Sequence, residues 1–181
     1  MNTLADICAG LSTVSNKYNL EPSEQPTAEF ASIVGALDNF MECVRYLNTR
    51  RSGGTILSLE SEADVQDAIY LMLRPWVKDL IPEDPTGRVG NRYTIKDFVS
   101  ASARTIIEAK FIRDKEHGKS ISKELHDDIE TYRHHSHCDN IVFFIYDPDT
   151  HIPDGDSLKR AIHVARVYDG RALNVLLIVK P

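Results

Sequence analysis

Apolar positions change their period several times along the chain, and each change marks an element. Phe30, Ile33, Val34, Leu37, Phe40, Met41, Val44 and Leu47 recur at steps of three and four. That spacing predicts one amphipathic helix over 28–48, after a polar, proline-containing connector at 21–27. The run Arg50-Arg-Ser-Gly-Gly54 ends it, because glycine takes positive φ without strain. A second helix starts after Ser61, a suitable N-cap, with Glu62 and Asp64 near the positive end of its dipole. Val65, Ile69, Met72 and Leu73 give it an apolar stripe, and Pro75 or the residues just after it stop it.

The prolines and glycine of 82–87 predict a loop. The period then falls to two. Tyr93, Ile95 and Asp97 alternate with Thr94, Lys96 and Phe98, which predicts a strand. A second, short and β-branched strand covers 103–110. A helix over 119–133 places Ile121, Leu125, Ile129 and Tyr132 on one face. A buried strand follows at 141–146, then a helix over 157–168 with Leu158, Ile162 and Val167 on one side and Asp156 as cap. The last strand is 173–179. Helices interleaved with strands predict an α/β domain, a central mixed sheet flanked by helices. Residues 1–54 read as an N-terminal helical extension and 55–181 as the α/β domain.

The candidate chemistry sits on the two central strands. Asp97 lies inside one, and Glu108 and Lys110 lie two apart on the next, so they point to one face. Carboxylates inside strands are costly unless something compensates them. Two on neighbouring strands repel, and a hard divalent cation such as Mg²⁺ or Mn²⁺ would relieve that repulsion. Lys110 would add a positive charge, or a proton-transfer group, close to an attacking water. Other readings stand beside these. Glu108 and Lys110 could form a surface ion pair, Asp97 could cap a turn, and Glu62 could serve only the helix dipole.

The pattern Asp97-x10-Glu108-Ala109-Lys110 resembles the core motif of the PD-(D/E)XK nuclease superfamily, over roughly 57–180. Lys96 stands where that motif often has proline. The resemblance implies a restriction-endonuclease-like fold. It also implies Asp97 and Glu108 as main metal ligands, the Ala109 carbonyl as a further ligand, Lys110 as the group that orients or activates water, and Glu62 as an auxiliary metal ligand or the group that positions a metal-bound water. Glu60 or Asp64 would take the place of Glu62 if the helix were phased differently. The implied activity is Mg²⁺-dependent hydrolysis of phosphodiesters, in DNA rather than RNA, in an effector of prokaryotic defence. The rival is a non-catalytic nucleic-acid- or protein-binding module on the same fold. A small-molecule phosphohydrolase fits less well, because no glycine-rich phosphate cradle is present. The 28–48 helix could pair with a second copy or with a protein partner.

Composition narrows this further. The chain has 181 residues and a formal net charge of −6. That total hides a split: residues 86–123 carry 9 basic and 4 acidic side chains, whereas the segments on either side are acidic. The basic segment contains Asp97, Glu108 and Lys110, so the total does not exclude a nucleic-acid partner. Arg88, Arg92, Arg104, Arg113, Lys115, Lys119 and Lys123 read singly as ordinary solvated surface. Cys8, Cys43 and Cys138 are odd in number and widely spaced, which suits a reducing cytoplasm rather than a disulfide framework. No apolar run reaches membrane-span length, and the first residues lack the signature of a signal peptide. His134, His135, His137 and Cys138 are too close in sequence for a usual structural zinc site, and four aspartates within 146–156 read as a turn rather than an EF-hand.

Overall fold

The computed structural model describes residues 27–49, 54–85, 95–135, 138–163, 166–168 and 170–181. Cys8, most of the 21–27 connector, Arg88, Arg92, Tyr93 and His137 lie outside them. Eleven elements follow in order: α1 (Ala28–Asp38), α2 (Phe40–Thr49), α3 (Glu62–Leu73), β1 (Ile81–Pro85), β2 (Ile95–Ser100), β3 (Thr105–Phe111), α4 (Lys115–Tyr132), β4 (Asn140–Tyr146), α5 (Gly155–Ile162), β5 (Arg166–Tyr168) and β6 (Arg171–Lys180). The strands form one sheet in the order β1-β2-β3-β4-β6-β5. β3, β4 and β6 are parallel neighbours, and every other pairing is antiparallel. This is the mixed, helix-flanked sheet expected from the sequence.

Each face of the sheet carries its own core. Phe30, Ile33 and Leu37 of α1, Phe40 of α2 and Ile69 and Leu73 of α3 pack with Phe98, Ile107, Ala109, Phe144 and Ile178. Ile121, Leu125, Ile129 and Tyr132 of α4 and Leu158 and Ile162 of α5 pack on the other face with Ile106, Phe143, Ile145 and Leu177. β4 is covered on both sides, which explains its unbroken apolar run. Most of the apolar stripe of α1 and α2, from Phe30 to Val44, is buried in the first core.

Five boundaries differ from the sequence expectation. The 28–48 helix is two helices, interrupted at Asn39, whose side-chain amide and backbone N–H both donate to Gly35 O. The expected loop at 82–87 contains β1. Its prolines are tolerated because β1 is an edge strand, where a missing N–H costs little. α4 begins one turn earlier than 119, because Asp114 caps it by accepting from His117 N at 2.8 Å. Asp154, not Asp156, caps α5. The expected 157–168 helix stops at Ile162, and Val167 is an exposed residue of β5, paired with Ala172.

Gly118 has a sharper constraint than helix propensity suggests. A Cβ there would stand 2.4 Å from the His151 carbonyl oxygen and 2.7 Å from its carbon. That loop is fixed by buried Asp147, which accepts from His151 N and Ile152 N. In an open helix Gly→Ala would stabilise by about 1 kcal/mol. Here the clash is with backbone, so Gly118→Ala should destabilise by roughly 1–3 kcal/mol. A lower melting temperature in differential scanning calorimetry checks this, and a rise would refute the close packing.

Candidate active site

β2 and β3 are paired only from Ser100↔Thr105 to Phe98↔Ile107. β2 then continues with β1 as far as Ile95. Beyond Ile107 the edge of β3 faces a gap. Two carboxylates fill its backbone donors: Ala109 N–H donates to Asp97 Oδ2 at 2.7 Å, and Phe111 N–H donates to Glu62 Oε2 at 3.3 Å. A strand residue directs its N–H and C=O to the same edge, so the Ala109 carbonyl also faces this gap. Buried edge donors need partners, which gives the acids a local structural reason to be there. Ser61 caps α3 and brings Glu62 to the gap. Asp64 is engaged with Ser61 and Glu60 N, and Glu60 with Ser58, so the alternative phasing of this helix is not the one observed.

Side-chain alternation puts Asp97, Glu108 and Lys110 on the face that carries α4, because their neighbours Val99 and Ile106 belong to that core. Lys110 Nζ donates to Glu108 Oε1 at 3.1 Å. The pair is buried, with Glu108 only 5% exposed, so it is not the surface ion pair that sequence alone allowed. Asp97 lies mid-strand rather than at a turn.

Burial shapes the protonation of this group. Asp97 is pushed up to about 6, chiefly by desolvation, against the pull of Ala109 N–H and Lys110. Glu108 is pushed up to about 7 by desolvation and then by the charge of Asp97. Burial would lower Lys110, but Glu108 and Asp128 outweigh it and hold its proton on. The folded protein therefore binds protons at Asp97 and Glu108 that the unfolded chain has already lost. Its stability without divalent cations should fall as pH rises from about 4 to about 7 and then level off. At roughly 1.36 kcal/mol per unit, the two groups make this an effect of a few kcal/mol. Asp128, raised by burial, adds to this fall, whereas Asp64, Asp79 and Asp114, lowered by hydrogen bonds, and His163, lowered by burial, act in the opposite sense and reduce it. Urea midpoints in EDTA at pH 5 and pH 8 check this, with the lower midpoint expected at pH 8.

A cleft of about 500 Å³ opens beside the gap, at the C-terminal end of β3 between the N-terminal ends of α3 and α4. Glu62, Lys110, Arg113 and His117 are among its lining residues. Asp97 lines a separate hollow of about 200 Å³ with Gln66, Tyr70 and Glu83. Of the basic residues singled out in the sequence, Arg104 is paired with Asp139 and Lys119 with Glu116, while Arg113 lines the cleft.

Two participants were not legible beforehand. Tyr132 of α4 donates from its hydroxyl to Glu108 Oε2 at 2.8 Å. Asp128 of α4 stands with Oδ2 3.4 Å from Lys110 Nζ. Tyr132 had the apolar-face position of a core residue, but a buried tyrosine hydroxyl needs a partner, and that was the available signal. Asp128 carried none. Among the described residues, no three His, Cys, Asp or Glu side chains cluster at metal-binding spacing. Among the same residues, no helix is long and apolar enough to cross a membrane.

Neither a curated protein nor a solved structure gives a significant match to the chain. A family model described as REase_DpnII-MboI matches residues 32–178. The match runs from α1 to the last strand and takes in the gap between β2 and β3 with its carboxylates and Lys110. On that match the chain belongs to the DpnII-MboI restriction endonuclease family, a family of the PD-(D/E)XK type.

Proposed function

We propose that the chain hydrolyses phosphodiester bonds of DNA in a reaction that depends on a divalent cation. One observation carries this reading: two carboxylates from adjacent strands, buried Glu108 and half-buried Asp97, share a face with Lys110, where those strands separate. The donor chemistry fits Mg²⁺ or Mn²⁺. Asp97, Glu108 and the Ala109 carbonyl are hard oxygen donors, and the raised protonation of both acids marks a deficit of nearby positive charge. A pair of carboxylates without a third side chain suits an ion that keeps several waters and shares substrate phosphate oxygens. When bound, the cation supplies Lewis-acid stabilisation of charge on phosphoryl oxygen and a more acidic water.

The chain's own groups would do the rest. Lys110, held protonated by Glu108 and Asp128, orients the attacking water and offsets charge as the phosphorus centre gains an oxygen. Glu62, tied to Phe111 N–H, keeps the gap from collapsing and acts as an auxiliary acid from the cleft side. Arg113 lies in the same cleft, where a phosphate next to the scissile one would sit. A role in defence against foreign DNA and action as a dimer belong to the same reading.

The test is cleavage of single- and double-stranded DNA and RNA by purified protein in Mg²⁺ and Mn²⁺, with EDTA as control. Cation-dependent cutting of duplex DNA is expected. If every substrate stays intact although the protein binds DNA, the non-catalytic binding module is the better reading.

A further inference from the structure

The Glu108–Lys110 pair rests on one face of α4. Asp128 and Tyr132 are four residues apart, so the helix stacks them one turn from each other on that face. In the structure both oxygens of Glu108 are taken. Tyr132 donates to Oε2, and Lys110 donates to Oε1. If Glu108 is to ligate a cation, one of these donors must leave it. Lys110 is the one whose charge opposes a cation, and it must also remain nearby for the chemistry.

Asp128 offers it a place to go. Its Oδ2 is buried and already stands in a long ion pair with Lys110 Nζ at 3.4 Å, too poorly aligned for a good hydrogen bond. Buried carboxylate oxygens are ordinarily well hydrogen-bonded, so a long, misaligned contact with an ammonium is one that can tighten. Lys110 and Asp128 side chains are 14% and 20% exposed, which leaves little water to fill that role.

We propose that Asp128 is a positioning residue that receives Lys110: as Glu108 gives Oε1 to a divalent cation, the ammonium passes to Asp128 Oδ2 and stays beside the reacting phosphate. Tyr132 keeps Oε2 during this exchange and stops the carboxylate from turning. The inference rests on the reading of Asp97 and Glu108 as cation ligands. Without Asp128, Glu108 is the one carboxylate left at ion-pair distance of Lys110 among the described residues, so Lys110 competes with the cation.

The probe is Ca²⁺, titrated calorimetrically into the full chain. Asp128→Asn should bind Ca²⁺ about 10-fold more weakly than wild type, in the range seen for groups that orient metal ligands. Asp127→Asn removes the same charge from the exposed neighbouring position, so it controls for bulk electrostatics and should shift affinity less than about twofold. A crystal of the wild-type protein with Ca²⁺ gives a second readout that needs no variant. Lys110 Nζ should then lie about 2.8 Å from Asp128 Oδ2 and have left Glu108. If wild type binds Ca²⁺ at Asp97 and Glu108 while Lys110 remains on Glu108, or if Asp128→Asn binds Ca²⁺ as tightly as wild type, this inference fails and the cation site stands. If wild type takes no Ca²⁺ at that pair, the cation-site reading fails and this inference with it.

Discussion

Asp97→Asn should abolish cleavage and leave a more stable protein. An asparagine oxygen can still accept from Ala109 N–H, so the bond that holds the open edge of β3 survives. What disappears is a half-buried charge that repels Glu108 and is itself raised mainly by desolvation. Relief of that cost should stabilise the EDTA-treated protein at pH 8 by about 1–3 kcal/mol. For a chain of this size, that is a rise of several degrees in melting temperature. Cleavage should fall by at least about a thousandfold, because the variant loses a charged ligand at the centre of charge development. Gains in stability on removal of active-site groups reflect a trade-off between function and folding. A variant that cuts DNA within tenfold of wild type would remove Asp97 from the site.

Lys110→Met should do the opposite to stability. Methionine keeps the apolar stem but leaves Glu108, Asp97 and Asp128 around a site with no cation. Removing one partner of a buried ion pair costs about 3–5 kcal/mol. At pH 8 without divalent ions the melting temperature should drop by on the order of 10 °C. At pH 5 the loss should shrink, because Glu108 and Asp97 then take up protons. Mg²⁺ should restore part of the stability at pH 8, since it supplies the missing charge. Activity should remain at least about a hundredfold down even when the fold is restored. Equal melting temperatures for variant and wild type at both pH values would mean that Lys110 does not compensate these acids.

The contrast between these two variants shows what was legible in the chain. Asp97, Glu108 and Lys110 stood out because charges inside strand-period segments break the local rule that strand interiors are apolar. A residue spacing of two places Glu108 and Lys110 on one face from the sequence alone. β4 and β6 were legible because apolar runs of strand length have few other uses. The elements that were misread depend on context. β1 contains Pro82 and Pro85, and only its edge position makes them acceptable. β5 is three residues long and pairs across a turn that includes Gly170, at φ 77°. The Asp169-Gly170 dipeptide was the hairpin signal that the helical reading of 157–168 passed over. Asp128 and Tyr132 sit 18 and 24 residues from the groups they touch, and within α4 they read as a polar and an apolar helix position, with the tyrosine hydroxyl as the one local signal. Their part in the site comes from tertiary packing alone.

The proposed function requires the raised carboxylates of Asp97 and Glu108 to hold a divalent cation. Anomalous diffraction from crystals grown with Mn²⁺ and a DNA duplex tests it most directly. One strong anomalous peak is expected in contact with the carboxylates of both Asp97 and Glu108. A Mn²⁺-active protein whose anomalous peaks all lie away from that pair would contradict it.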